Sequence, residues 1–593
     1  MKNPFEVNTP EGISAIDAHE LFVDVFSDFH QVPKIGHTFL NGPRGSGKSM
    51  MFRFMMPDCQ KIKNKCDLNG LDYFSLYAPI KLTELNNQDF EKLKTNSAVF
   101  INEHLLTTFI AIKCFNSLLE FDSEFDDNLT IFDSFYKDTF LWHMDIAGFD
   151  IVPFNKTYGS AKEYLEAIIR ILNEVYLKCL MYCKRSLDID ASYNGPLCSY
   201  LDFLHPILLE LKKTPFFPQN KPFFILIDDA GYLTKTQTQI LNTWVSYRIS
   251  YDVSLKISTQ LDYKSYKTTT NKTIDSPHDY SQVNITEIYT TPKNNFYRRI
   301  DDIVRKRLIK YLGKEVESKT FFPPDKKQEE EIDRIREVLK QQHYNPDKHY
   351  AAGDASRRYA SSEYMKFLKS KRSGSTLSYA GFDNLVDISS GIIRHFLEPA
   401  SIMFSENSSN NVNNSDNFIP DSIQDSIIKE YSKKFLEDEF SKVREAHGTK
   451  EANERLSKAD KLYNLINSLG EVFHSIFVSN KAERVVFSVA LNDTPDDELK
   501  EILDLAEHYG YLHKGTIGNK LGTGRARLYI LSRTLAPFFK LDPTGFKGYQ
   551  FMDSSSLKIC LENPQRFVKK TIANFSSEGS DIQLTIDFDF LKS

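Results

Sequence analysis

The chain has 593 residues, 41% hydrophobic and 13% aromatic, which is enough apolar material for several packed domains and excludes a wholly disordered chain. Its formal net charge of −6 gives no global attraction to nucleic acid, so any such binding must come from a local basic patch. Its seven cysteines form no C-x-x-C pair, and Cys179 and Cys183 stand one helical turn apart among apolar neighbours, which points to core packing rather than metal ligation or disulfides. In chain order, residues 1–30 read as an N-terminal helical segment. Its apolar stretch AHELFVDVFSDF carries acids throughout, unlike a signal peptide, so the chain is expected to be cytoplasmic.

Residues 31–300 read as an α/β core. In HTFLNGPRGSGKSMMFRF, the run Gly42-Pro43-Arg44-Gly45-Ser46-Gly47-Lys48-Ser49 fits G-x-x-x-x-G-K-[ST]. In that pattern glycines let backbone N–H groups curl around a phosphate, a lysine reaches the β/γ-phosphates and a hydroxyl holds Mg²⁺. His37 to Leu40 predicts a buried strand before the loop, and Met50, Met51, Phe54 and Met55 predict a helix after it, ended by Pro57. ATP with Mg²⁺ is therefore the expected cofactor pair, bound at the helix N-terminus.

DYFSLYAPIKL predicts a second strand, and a helical insertion is expected over about 85–213. Its most apolar segment, from Val99, is interrupted by Asn102, Glu103, His104, Lys113 and Asn116, so it reads as a core helix and no membrane partner is expected. Phe223 to Ile227 predicts a central parallel strand ending in Asp228-Asp229. Asp228 is placed to hold the magnesium shell and Asp229 to polarise the attacking water. VSLKISTQ predicts a strand whose polar end, Ser258 and Thr259, would lie beside the γ-phosphate. A further strand from Gln282 and a basic helix from Tyr297 complete a doubly wound parallel sheet.

Residues 301–403 read as helical, with an exposed, charge-rich helix in DKKQEEEIDRIREVLKQQ. The polar run 404–417, FSENSSNNVNNSDN, is the clearest domain boundary and gives a linker over 404–425. Residues 426–575 predict an apolar helix, a strand, a second helix and a Gly-rich hairpin, the order of a winged helix. The second helix buries Leu499, Ile502, Leu503 and Ala506 and exposes Asp497, Glu498, Glu501, Asp504 and Glu507, which disfavours reading of a DNA groove. The hairpin carries Lys514, Lys520, Arg525, Arg527 and Arg533 without an acid. Such a wing can grip a nucleic-acid backbone, dock on an acidic protein, or balance the acidic helix. In the tail, 576–593, Ile582, Leu584, Ile586, Phe588 and Phe590 alternate with polar residues. This period of two predicts a strand that pairs with a neighbour or folds back on its own domain.

This order of parts resembles the AAA+ ATPases, and within them the origin-recognition and replication-licensing ATPases and their bacterial relatives. The resemblance rests on the Gly42 loop, the Asp228-Asp229 strand, the polar-ended strand at Ser258, and DISSGIIRHFLEPASIMF. It implies an AAA+ P-loop core with a helical lid over 301–403, a C-terminal winged-helix-like domain, and Arg394 of the G-x-x-R run acting on the γ-phosphate. Two departures stand out. Residues 249–297 contain no arginine, leaving Arg248, Arg298 or Arg299 as candidates for a finger reaching a neighbouring subunit. Asp229 stands where hydrolytic members usually carry glutamate, which implies slow turnover and is also common in STAND signalling ATPases. Three readings follow: a slowly hydrolysing switch that assembles with itself or a separate effector, the bacterial relatives implying anti-phage defence; an initiator-like DNA-binding ATPase; and an ATP-binding scaffold without turnover.

Overall fold

The computed structural model describes residues 2–7, 9–24, 29–80, 95–150, 157–185, 193–247, 251–260, 263–285, 294–344, 351–371, 376–410, 418–450, 454–479, 485–518, 525–544 and 548–577. The chain divides into two compact units, Asn8–Glu287 and Ile288–Ser593 together with Met1–Val7.

The first unit is built on five strands, β1 (Thr38–Asn41), β2 (Phe74–Pro79), β3 (Phe223–Asp228), β4 (Val253–Thr259) and β5 (Ser281–Asn284), in the order β2-β3-β4-β1-β5. Every pairing is parallel. A parallel sheet has to be covered on both faces, and β3 is buried along its whole length. Phe223, Ile225 and Ile227 join a core that includes Leu106, Ile110, Leu165 and Leu172, from the helices Thr95–Leu118 and Ala161–Arg185. Phe224 and Leu226 alternate to the other face and are equally buried, with the helix Lys48–Met55 packed on this strand.

Between β2 and β3 the described residues contain helices and no strand, matching the helical character expected of the insertion. Within it, the stretch Ala98–Ile146 is long and apolar enough to cross a membrane by length and composition, yet 78% of its most apolar window is buried inside the protein. Cys179 and Cys183 lie in a small buried cluster with Ile101 and Leu105, and no group of metal-ligating side chains occurs among the described residues. Pro57 ends the helix Lys48–Met55 as expected, and it also opens a new helix, Pro57–Asn64, where its missing N–H costs nothing.

Lys256 is fully buried in mid-β4. Its ammonium donates to the Lys34 carbonyl at 2.5 Å, the Gly36 carbonyl at 2.7 Å and Thr38 Oγ1 at 3.1 Å. It also lies 4.6 Å from the centroid of the Phe224 ring. Burial lowers its pKa to about 7. It tethers the segment entering β1 to the sheet.

In the second unit a four-stranded sheet has the order β7-β8-β6-β9, with β6 at Val486–Leu491, β7 at Leu512–Gly518, β8 at Arg525–Leu531 and β9 at Gly548–Met552. β7 and β8 form the expected hairpin, and β8 pairs antiparallel with β6. One helix, Asp497–His508, stands between β6 and β7, so no helix-turn-helix pair precedes the hairpin. The helix Ile393–Asn410 continues through the first seven residues of the segment expected to be a linker. The hairpin's exit is bonded to the lid helices: Arg533 N donates to Ser390 Oγ at 2.6 Å and Thr534 Oγ1 to the Ile388 carbonyl at 3.0 Å. The tail strand, Arg248 and Lys520 lie outside the described residues.

The N-terminal residues pack within this second unit. Phe5 is completely buried, with ring centroids 5.8, 5.5 and 6.3 Å from Phe321, Phe322 and Phe404. Asn3 Nδ2 donates to the Ser401 carbonyl at 2.8 Å, and Arg307 donates to the Pro4 carbonyl at 2.8 Å. Phe5→Ala is expected to destabilise this unit by about 3–5 kcal/mol, since it empties a core site. Denaturant unfolding of the full chain measures it, and an unchanged midpoint would contradict the packing.

Candidate functional site

The phosphate loop leaves β1 at Asn41 and enters the helix Lys48–Met55. Gly42 N–H donates to the Thr259 carbonyl at 3.2 Å, which ties the start of the loop to β4. A Cβ on Gly42 would lie 2.8 Å from Ile285 Cβ, so this glycine is required by close packing. Gly45 and Gly47 have φ of 84° and 99°, the left-handed region that glycine occupies without strain. Gly47 caps the helix without a side-chain bond, so no side chain competes with an anion for the N–H groups of its first turn. Ser46 is buried and closes the loop on itself, its hydroxyl donating to the Pro43 carbonyl at 2.8 Å. Lys48 Nζ donates to the carbonyls of Gly42 at 2.7 Å and Pro43 at 2.9 Å, folded back on the mouth of the loop. Arg44 is exposed and Ser49 half-buried. Left-handed glycines, an uncapped helix start and a lysine on the loop rim are a donor set that fits a polyphosphate.

The acids stand at the carboxyl end of β3. Asp228 is 1% exposed. Its Oδ1 accepts from Asp229 N at 3.0 Å and from the Ser258 hydroxyl, and its Oδ2 accepts from the Tyr77 hydroxyl at 3.0 Å. Asp229 is half-buried and sits at φ 56°, ψ 38°, a left-handed conformation that aspartate tolerates better than most residues because its short side chain bonds locally. The αL turn thereby gives a physical reason for the shorter acid here.

Ser258 and Thr259, expected beside a γ-phosphate, are engaged within the protein. Ser258 is bonded to Asp228 and accepts from Asp229 N at 2.9 Å. Thr259 Oγ1 donates to Asn41 Oδ1 at 2.8 Å, and Asn41 Nδ2 donates to Asn284 Oδ1 at 3.1 Å. This polar chain beneath the loop, and Tyr77, were missed in the sequence. The asparagine preceding Gly42 and the one polar-tipped aromatic in an apolar strand were the available signals.

Arg394 lies in the second unit, at the start of the helix Ile393–Asn410, with its Nε 3.7 Å from Glu398. Arg298 is exposed and Arg299 half-buried, both on the helix Asn294–Leu312.

The wing's charges divide. Lys514 is ion-paired to Asp504 at 2.7 Å and also to Glu507, so it balances the acidic helix. Lys461 and Lys558 each lie 2.8 Å from Glu498 and hold its carboxyl below the usual carboxylate range, while Lys458 pairs with Glu501 at 2.6 Å. Arg533 is buried, 3.5 Å from Asp387. Arg525 and Arg527 are exposed on one face of β8. A second exposed basic group, Arg566, Lys569 and Lys570, borders an open cleft beside Asn563.

Five parallel strands in this order, with a glycine-rich loop after β1 and a buried aspartate ending the neighbour-but-one strand β3, define a P-loop nucleotide-binding protein of AAA+ type. The ORC-CDC6-like family model matches residues 3–551, and the chain belongs to that family, whose members are AAA+ ATPases. No curated protein matches the sequence. Among solved structures, the chain is similar to the Aeropyrum pernix ORC1 protein in complex with DNA, at 10% identity and a TM-score of 0.26, over 96% of this chain and 97% of that one. It is also similar to Cdc6p from Pyrobaculum aerophilum, at 12% identity and a TM-score of 0.21, with the same coverage. At such scores these two likenesses add no weight to the family match.

The αL geometry of Asp229 gives a test by substitution. Asp229→Asn is expected to leave stability within about 0.5 kcal/mol, whereas Asp229→Val, β-branched and without a local acceptor, should cost about 1–2 kcal/mol. Thermal unfolding of the two variants measures the difference, and equal melting temperatures would contradict the left-handed turn.

Proposed function

We propose that this chain is an ATP-binding, slowly hydrolysing switch. The observation that carries the reading is the convergence of an uncapped, lysine-bearing phosphate loop and a buried, oriented Asp228 at one edge of the sheet. The N–H groups of Gly45 to Ser49 would receive the phosphates, and Lys48 would exchange the Gly42 and Pro43 carbonyls for β/γ-oxygens. Ser49 and Asp228 would hold Mg²⁺. Bound Mg²⁺ supplies positive charge that orients the phosphates and stabilises charge developing on them. Asp229 would orient the attacking water and accept its proton. Arg394 would keep the role on the γ-phosphate that the family resemblance implies. A nucleotide-held switch acts by assembling with further copies or with a separate effector; anti-phage defence and a cytoplasmic location belong to this same reading.

A second reading, contact with a nucleic-acid backbone, is favoured by Arg525 and Arg527 exposed together on β8. Groove reading stays disfavoured, because the helix Asp497–His508 presents carboxylates rather than cations, with Glu498, Glu501, Asp504 and Glu507 taken up by lysines of its own unit, and stands without a helix-turn-helix partner.

Lys48→Ala is expected to weaken ATP·Mg²⁺ binding roughly 10- to 100-fold by calorimetry, since a charged hydrogen-bond donor is lost. Asp229→Asn is expected to bind like wild type and turn over roughly 10²–10⁴ times more slowly. Equal affinity in Lys48→Ala would overturn the site, and absence of phosphate release from wild type would favour the non-hydrolysing scaffold. For the second reading, Arg525→Ala with Arg527→Ala should weaken DNA binding equally across sequences and lower the salt slope by about 2. An unchanged slope would exclude this face.

A further inference from the structure

We infer that Tyr77 is a positioning residue for the metal-holding carboxylate, a role that rests on the reading of Asp228 given above. An ionised carboxylate offers about four acceptor positions. Three of those on Asp228 are occupied from within the protein: two on Oδ1, by the Asp229 N–H and the Ser258 hydroxyl, and one on Oδ2, by the Tyr77 hydroxyl at 3.0 Å. A carboxylate so held keeps one Oδ2 position, with its plane fixed by donors from three different segments. Ser258 and the Asp229 N–H both act on Oδ1 and set the torsion of the whole carboxylate. Tyr77 acts on Oδ2, the oxygen that keeps a position for a cation, and so determines which of its acceptor positions stays open.

The placement of Tyr77 follows from the sheet. Tyr77 pairs with Leu226 and Pro79 with Asp228 in the parallel register of β2 and β3. The hydroxyl therefore reaches Asp228 from two positions upstream, along the strand direction, which suits a side chain of tyrosine length. Phenylalanine would fill the same volume without the bond, and serine at this position would fall short. Tyr77 is half-buried while Asp228 is buried. Groups that orient a metal-bound carboxylate in this way commonly change metal affinity 10- to 100-fold when removed.

The test uses the full chain and a fluorescent ATP analogue titrated with Mg²⁺. Tyr77→Phe is expected to bind the analogue like wild type in the presence of a chelator and to need about tenfold more Mg²⁺ to reach the tight complex. Ser258→Ala should shift the Mg²⁺ midpoint in the same direction, and Ser258→Thr, which restores a hydroxyl, should return it towards wild type. A Tyr77→Phe protein that unfolds more easily but has the wild-type Mg²⁺ midpoint would make Tyr77 a structural residue and overturn the inference. If wild-type binding itself ignored Mg²⁺, the reading of Asp228 would fall, and this inference with it.

Discussion

The bond from Gly42 N–H to the Thr259 carbonyl continues the parallel ladder of β1 and β4 past the last residue of β1, and the candidate site depends on it. Because β4 lies between β1 and β3, the same ladder brings Ser258 against Asp228 while Thr259 holds Asn41. One strand thus sets both the height of the phosphate loop and the rotation of the carboxylate opposite it. Parallel strands end together, so everything needed to hold a charged ligand gathers at their carboxyl edge.

The polar residues of this edge are bonded to one another within the protein. Buried polar groups are costly unless satisfied, and here their satisfaction also orders the site. Lys48 rests on two loop carbonyls, Asp228 on three donors, and Asn41 between Thr259 and Asn284. Asp229 is the exception in backbone terms, held in a left-handed conformation next to the buried Asp228.

The same principle explains the muted surface of the second unit. The acidic face of Asp497–His508 looks repulsive to nucleic acid in one dimension, yet lysines 458, 461, 514 and 558 approach it from two helices and a strand. Among the described residues the basic hairpin loses Lys514 to this balance and Arg533 to Asp387, leaving Arg525 and Arg527 exposed. Charge counted along the chain overstated both the acidity of the helix and the basicity of the wing, because ion pairs form between elements distant in sequence.

Much of the first unit was legible because its signals are local. The phosphate loop is contiguous, β3 is a solid apolar run ending in acids, and the helix after the loop shows its apolar face in four residues. The polar run at 404–417 misled for an equally local reason: Asn and Ser are poor helix formers, but Ile393–Asn410 is carried past them by packing that begins upstream. The attachment of residues 2–7 to the second unit had no local signal, since Asn3-Pro4-Phe5 names neither Phe321 nor Ser401.

By itself, then, the sequence determined the strand and helix types, the residues able to cradle phosphate, and the acids able to face them, since each depends on neighbours within about one turn or one strand. The tertiary structure decided which of those residues meet: Tyr77 on Asp228, Ser258 turned towards the carboxylate, Lys514 withdrawn into an acidic helix, and Phe5 seated among lid phenylalanines. These are choices of register and packing between segments far apart in the chain, and their energies arise only when burial removes water from groups that the sequence leaves unpaired.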